Sequence, residues 1–249
     1  MAAAAAADGV NAPFDPLLLP FADRGGAELE AEERQALAVF SPEARATIDR
    51  ALVQFLSQLA APALREHAAL RRFPWESDDR AASADEVVEV LHEYPLLAEL
   101  LAAWAQRSAC AHAELAGRVQ REWPGLRVDA IAPYQSDPHD GGRTVATLAL
   151  CDGSSAVSTV VYKPRSVEME HAFGDLLTWA NARQFPWPFR RVEVMPRDGY
   201  GWMERVATAP CETRQEVEAF FARAGGLLAF AALLQGTDLH HENLIAARD

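Results

Sequence analysis

Positive charge is what this sequence has least of. Its Lys and Arg residues total 23 against 36 Asp and Glu over 249 residues, a net charge of −13. Nonspecific binding to nucleic acid or to an anionic membrane needs clustered cationic side chains, so neither partner is expected. Cysteine is also scarce. Cys110, Cys151 and Cys211 are widely spaced and odd in number, so no disulfide framework and no CxxC pair can be drawn. That usage points to a reducing, cytoplasmic setting. The alanine run at residues 1–7 lacks the basic residues and apolar core of a secretory signal. No stretch approaches the roughly 20 apolar residues of a spanning helix, so no integral membrane segment is expected. What is present is a large apolar fraction, 50%, enough to bury a core.

The chain changes character along its length. Residues 1–26 carry Pro13, Pro16, Pro20, Gly25 and Gly26 and read as a loosely ordered lead-in, with Phe14, Leu17, Leu18, Leu19 and Phe21 able to dock on a core. Residues 27–126 read as a helical region. Leu52, Phe55, Leu56 and Leu59 recur at helical spacing, as do Leu97, Leu100, Leu101 and Trp104. Ser41 before Pro42 predicts a helix start, and Ser83 with Glu86 a capping box. These stripes read as helix packing, without chemistry.

From residue 127 onward the pattern is β-rich. Residues 145–150 and 157–163 predict strands joined by an Asp152-Gly153 turn. A helix follows over 167–182, then short strands at 191–195 and 200–206. Thr213 with Glu216 opens a long helix with Phe220, Leu227, Leu228 and Leu234 among its apolar residues, and Gly236 is placed to end it. The fold class is therefore α+β. A helical N-terminal region precedes strand, polar glycine loop, strand, strand with a lysine, helix, two strands, long helix and polar loop. That order matches the front of a protein/lipid-kinase-like fold, making 127–249 an incomplete kinase-like core.

Three segments carry chemistry. Lys163 ends a strand with Val157, Thr159 and Val161 on its face, where a kinase lysine holds nucleotide phosphates; a strand-end lysine snorkelling into water is the plain alternative. Asp238 and Asn243 are five positions apart in the loop after the long helix. That is the separation of a kinase catalytic base and its magnesium-binding asparagine, although Asp and Asn are also ordinary loop residues. His240, His241 and Glu242 lie between them, without the HExxH spacing or third ligand a zinc hydrolase needs. Residues 136–143 (SDPHDGGR) lie between the first two strands, where adjacent glycines let backbone approach phosphate. No Walker loop is present.

Taken in order, SDPHDGGR (136–143), VYKPRS (161–166), RDGYGW (197–202) and TDLHHENLI (237–245) resemble the dehydratase domain of class II lanthipeptide synthetases, the LanM type. The likeness is strongest from residue 132 onward. It implies an ATP- and Mg2+-dependent enzyme that phosphorylates Ser and Thr of a ribosomal precursor (leader–core) peptide, then eliminates phosphate to leave dehydroamino acids. It further implies Lys163 at the nucleotide phosphates, Asp238 as catalytic base, Asn243 as magnesium ligand and His240 as support for that loop. Asp137 and His139 match the loop over the phosphates. Glu168 and Glu170 both remain open as the acid paired with Lys163. Zinc belongs to a separate cyclase domain that this chain does not contain. The family's second magnesium-binding Asp is expected later than Asp249, so the chain reads as a truncated dehydratase, inactive alone, completed by a C-terminal half or a separate cyclase chain. A non-catalytic remnant that binds precursor peptide or nucleotide is the alternative, and an unrelated small-molecule phosphotransferase a third reading.

Overall fold

A computed structural model describes residues 15–71, 84–153, 155–237 and 244–248. The chain divides into two compact units, residues 1–159 and 160–249. The first holds helices α1 (Asp15–Ala27), α2 (Ala31–Ala36), α3 (Pro42–Arg71), α4 (Ala84–Glu93) and α5 (Pro95–Glu122), then strands β1 (Arg127–Ala132) and β2 (Ala146–Cys151). Strand β3 (Ala156–Lys163) begins in it and ends in the second unit, which also holds α6 (Glu168–Ala182), β4 (Val194–Arg197), β5 (Tyr200–Glu204) and α7 (Arg214–Leu233). The strands hydrogen-bond in the order β1-β2-β3-β5-β4. The architecture is mixed α+β, as the sequence pattern predicts.

In the first unit the helical stripes form the core. Leu52, Leu56, Ala60 and Leu64 of α3 meet Leu101 and Ala105 of α5 and Leu18 of α1. The span to residue 26, expected as a loosely ordered lead-in, therefore contains a helix from Asp15. Its prolines signal irregularity, yet Leu18, Phe21 and Ala22 bury against α3 and α5, and that apolar gain outweighs a lost backbone hydrogen bond at Pro20. Gly25 comes so close to the Ala105 backbone that an added Cβ would lie 2.7 Å from its carbonyl. Ser41 caps α3 as its position predicts, its Oγ accepting from the Ala44 amide at 3.0 Å and donating to the Asp129 carbonyl at 2.9 Å. That second bond, with the parallel bridge of Phe40 to Val128, sews β1 onto the helices. The boundary between the two compact units falls inside β3. The Ser83–Glu86 cap lies outside the described residues.

The second unit is built around aromatic pairs. Antiparallel β3–β5 pairing sets Tyr162 opposite Trp202 and Lys163 opposite Gly201. Trp202, Tyr162 and Tyr200 are buried together, with ring centroids 5.2 Å apart for Tyr162–Trp202. Gly201 is required where it stands: any Cβ there would collide with the buried side chain of Val167. Thr213 and Glu216 form the reciprocal capping box of α7 that their spacing predicts. Leu227 and Phe230 of α7 pack against Leu177, Ala180 and Phe189. Leu228 and Leu234 are instead exposed, at 65% and 58%, so the apolar stripe of this helix is only partly buried.

Candidate functional site

The 136–143 segment sits in the first unit on a polar foundation. At its entrance Tyr134 has a left-handed backbone, φ 55°, a conformation a bulky residue adopts only when its surroundings hold it. Its surroundings do. The Tyr134 ring stacks on Phe55 and its hydroxyl hydrogen-bonds Ser108 Oγ, while its amide donates to Thr144 Oγ1. Burial pushes the Tyr134 phenol up to about 12. Beside it His112 is buried, its Nδ1 donating to the Ser108 carbonyl at 2.8 Å.

Burial depresses the His112 pKa below its ordinary value, with the Ser108 carbonyl bond opposing the shift. The sign follows from linkage. As pH falls below about 6.5, unfolded chains bind a proton here that the folded chain resists, so stability present at pH 8 declines toward the depressed folded pKa. The urea midpoint is expected to fall more steeply between pH 7 and 5 in the parent than in His112→Gln. Identical pH profiles for the two proteins would contradict this assignment.

Beyond Tyr134 the chain turns tightly. Ser136 Oγ accepts from the Val145 amide at 3.1 Å, and the His139 amide donates to the Arg143 carbonyl at 2.7 Å. Gly141 and Gly142 take φ values of 74° and 80°, which is why glycine is needed at both. His139 and Asp140 line an open polar cavity of about 480 Å³ with Trp104 and Arg107 of α5, and Arg107 lies over the Trp104 ring. Asp137 precedes this turn and is not among the residues that line the cavity.

Lys163 stands in the second unit. The face of β3 that carries it is exposed at Val157 and becomes half-buried at Val161 and Lys163, while on the opposite face Tyr162 is buried. Burial and the nearby Arg165 charge lower the Lys163 pKa, and Glu170 acts in the opposite direction. The two candidate acids separate here. Glu168 is exposed at the first position of α6. Glu170 points inward, with Arg165 held on Oε1 at 2.6 Å and a buried Oε2 that has no hydrogen-bond partner among the described residues. An unsatisfied buried carboxylate oxygen costs on the order of 1–3 kcal/mol and is matched by a cation brought to it. The residue set therefore suits an anionic ligand at the lysine, with the glutamate charge shared by Arg165 and Lys163. One signal for Lys163 was present in the sequence: it is the chain's only lysine, every other cationic side chain being arginine. Asp238, His240 and Asn243 lie outside the described residues. No group of three or more metal-ligating side chains occurs among those described.

Comparison with known proteins bears on these segments directly. The family model described as "Domain of unknown function (DUF4135)" matches residues 94–249, so its span takes in α5, the 136–143 turn, Lys163 and Asn243. The chain is also 29% identical over 120 residues to the lacticin 481/lactococcin biosynthesis protein LcnDR2 of Lactococcus lactis subsp. lactis. That alignment covers 45% of this chain and 12% of the relative, which is much the longer protein. Well over half of its length fits the family, and the chain belongs to it: the DUF4135 domain, found in LanM-type lanthipeptide synthetases.

Proposed function

We propose that this domain supplies the front of a dehydratase site that phosphorylates Ser and Thr of a precursor peptide and then eliminates the phosphate. The observation that carries the reading is Lys163, the only lysine, half-buried at a strand end with the unsatisfied oxygen of Glu170 on the next helix. A compact ammonium suits phosphate oxygens, and the nearby Glu170 charge favours its protonated form. The likeness to LcnDR2, named for lacticin 481/lactococcin biosynthesis, supports a ribosomal peptide as the substrate. ATP with Mg2+ would supply the phosphoryl group and its charge neutralisation.

In this scheme Asp238 takes the proton of the attacking Ser or Thr hydroxyl as its oxygen forms the new bond to the γ-phosphorus. The bond between that phosphorus and the β–γ bridging oxygen breaks, and ADP leaves. In elimination a basic group of the site takes the peptide's Cα proton, the freed electron pair forms the Cα=Cβ bond, and the Cβ–O bond breaks to release inorganic phosphate, leaving dehydroalanine or dehydrobutyrine. By resemblance, His139 and Asp137 would belong to the loop over the phosphates, Asn243 would hold magnesium and His240 would support its loop. A cytoplasmic location suits an ATP-dependent step, and a cyclase, in the same or another chain, would use the product.

Asp238→Asn in a synthetase carrying this domain is expected to prevent phosphopeptide formation, read by mass spectrometry of the precursor. Phosphopeptide accumulating in that variant would move Asp238 to the elimination step. Unmodified dehydration would remove it from the site.

A further inference from the structure

We infer that Glu114 is the positioning residue of the His139–Arg143 turn, tying it to α5 through Arg143; the turn's role over phosphates rests on the function proposed above. The Glu114 carboxylate is divided between two arginines. Its Oε2 accepts from Arg143 Nε at 2.6 Å and its Oε1 from Arg118 Nη2 at 2.5 Å. Arg118 is one turn further along α5 and mostly buried, so it fixes the carboxylate before the loop arrives. Arg143 then reaches back across its own turn, donating from Nη1 to the Asp140 carbonyl at 2.7 Å. Its carbonyl accepts from the His139 amide, closing the ring of contacts around Asp140, Gly141 and Gly142.

A second contact presses the turn against the same helix. A Cβ on Gly142 would lie 3.0 Å from Arg107 Cβ and 3.3 Å from the Arg107 carbonyl carbon, so the glycine backbone meets α5 without an intervening side chain. Glu114 and Arg107 thus hold the turn at two points, two helical turns apart on α5. A tight glycine turn has many accessible backbone states when free, and tethering both sides removes them before a ligand arrives. None of this involves Glu114 touching a ligand; it acts through the turn.

The experiment uses the 249-residue chain itself. Amide hydrogen exchange is measured without nucleotide, and affinities for Mg·ATP and for adenosine are measured separately. Glu114→Gln keeps the shape and removes the charge. Exchange at the His139 and Gly142 amides is expected to accelerate by about tenfold or more, with the α5 amides of the helical core unchanged, because local opening is cheaper than global unfolding. Mg·ATP binding is expected to weaken several-fold while adenosine binding holds, a split that general damage to the fold would not produce. Arg143→Gln should loosen the same amides at least as far, because it also loses the bond to the Asp140 carbonyl, and adding Glu114→Gln to it should add little, since the ion pair between them is already gone. Unchanged exchange at His139 and Gly142 in Glu114→Gln would overturn the inference, as would additive loosening in the double variant. A turn that loosens in Glu114→Gln, with Mg·ATP affinity of a synthetase carrying the substitution unchanged, would sustain the tether and overturn the phosphate reading.

Discussion

Lys163→Met is expected to weaken Mg·ATP binding by roughly ten- to a hundredfold, since a hydrogen bond to a charged group contributes about 1.5–3 kcal/mol. Dehydration by a synthetase carrying the substitution should fall at least as far. Methionine keeps much of the stem, so the strand should pair with β5 as before, and the loss reports the ammonium alone. Two features make the experiment sharp. Burial and Arg165 lower the pKa of this amine, so it reacts more readily with acylating reagents near neutral pH than an ordinary lysine does. It is also the only side-chain amine in the chain, so a label there is unambiguous. Mg·ATP is expected to protect Lys163 from acylation, and adenosine is not. Equal labelling with and without Mg·ATP, or parental affinity in the methionine variant, would leave the lysine as a snorkelling strand end.

Trp202→Ala is expected to produce the largest loss of stability, about 3–5 kcal/mol, the range for emptying a large buried aromatic site. Trp202 is 1% exposed and lies between Tyr162 and Tyr200, themselves almost fully buried. Neither tyrosine can turn inward to fill the space, because each belongs to a paired strand whose register fixes it. The consequence reaches the site, since Tyr162 precedes Lys163 and its packing sets the direction in which the lysine leaves the strand. The urea midpoint should fall sharply, and Trp202→Phe should recover most of it. A Trp202→Ala protein with the parental midpoint would show that the β3–β5 aromatic cluster is not the core of the second unit.

Much of this fold was legible wherever one local rule dominated. Ser41, Thr213 and Glu216 announce helix starts because capping is a contact of three residues or fewer, complete within the sequence window. Strand alternation placed β3 and β5 within a residue or two. Features set by tertiary contact were not legible. Prolines at 16 and 20 suggested a loose lead-in, while the decisive fact was the surface α3 and α5 offer to Leu18. Glu168 and Glu170 share the first turn of α6, and only the three-dimensional path shows which turns inward. Glu114 and Arg143 stand far apart in sequence and look like unremarkable surface charges until the turn folds back onto α5. In the site itself, Lys163 is signalled by its strand, Asp238 and Asn243 by their separation after the long helix, and the role of His240 by resemblance alone.

The central claim is that phosphate passes through the precursor peptide at a site this domain helps to build. A synthetase carrying the domain, incubated with precursor and ATP labelled at the γ-phosphate, tests it most directly. Label is expected first on Ser or Thr of the peptide and then as inorganic phosphate, one label for each water lost, with both signals absent in Lys163→Met. Water lost from the peptide with no label ever passing through it would contradict the account.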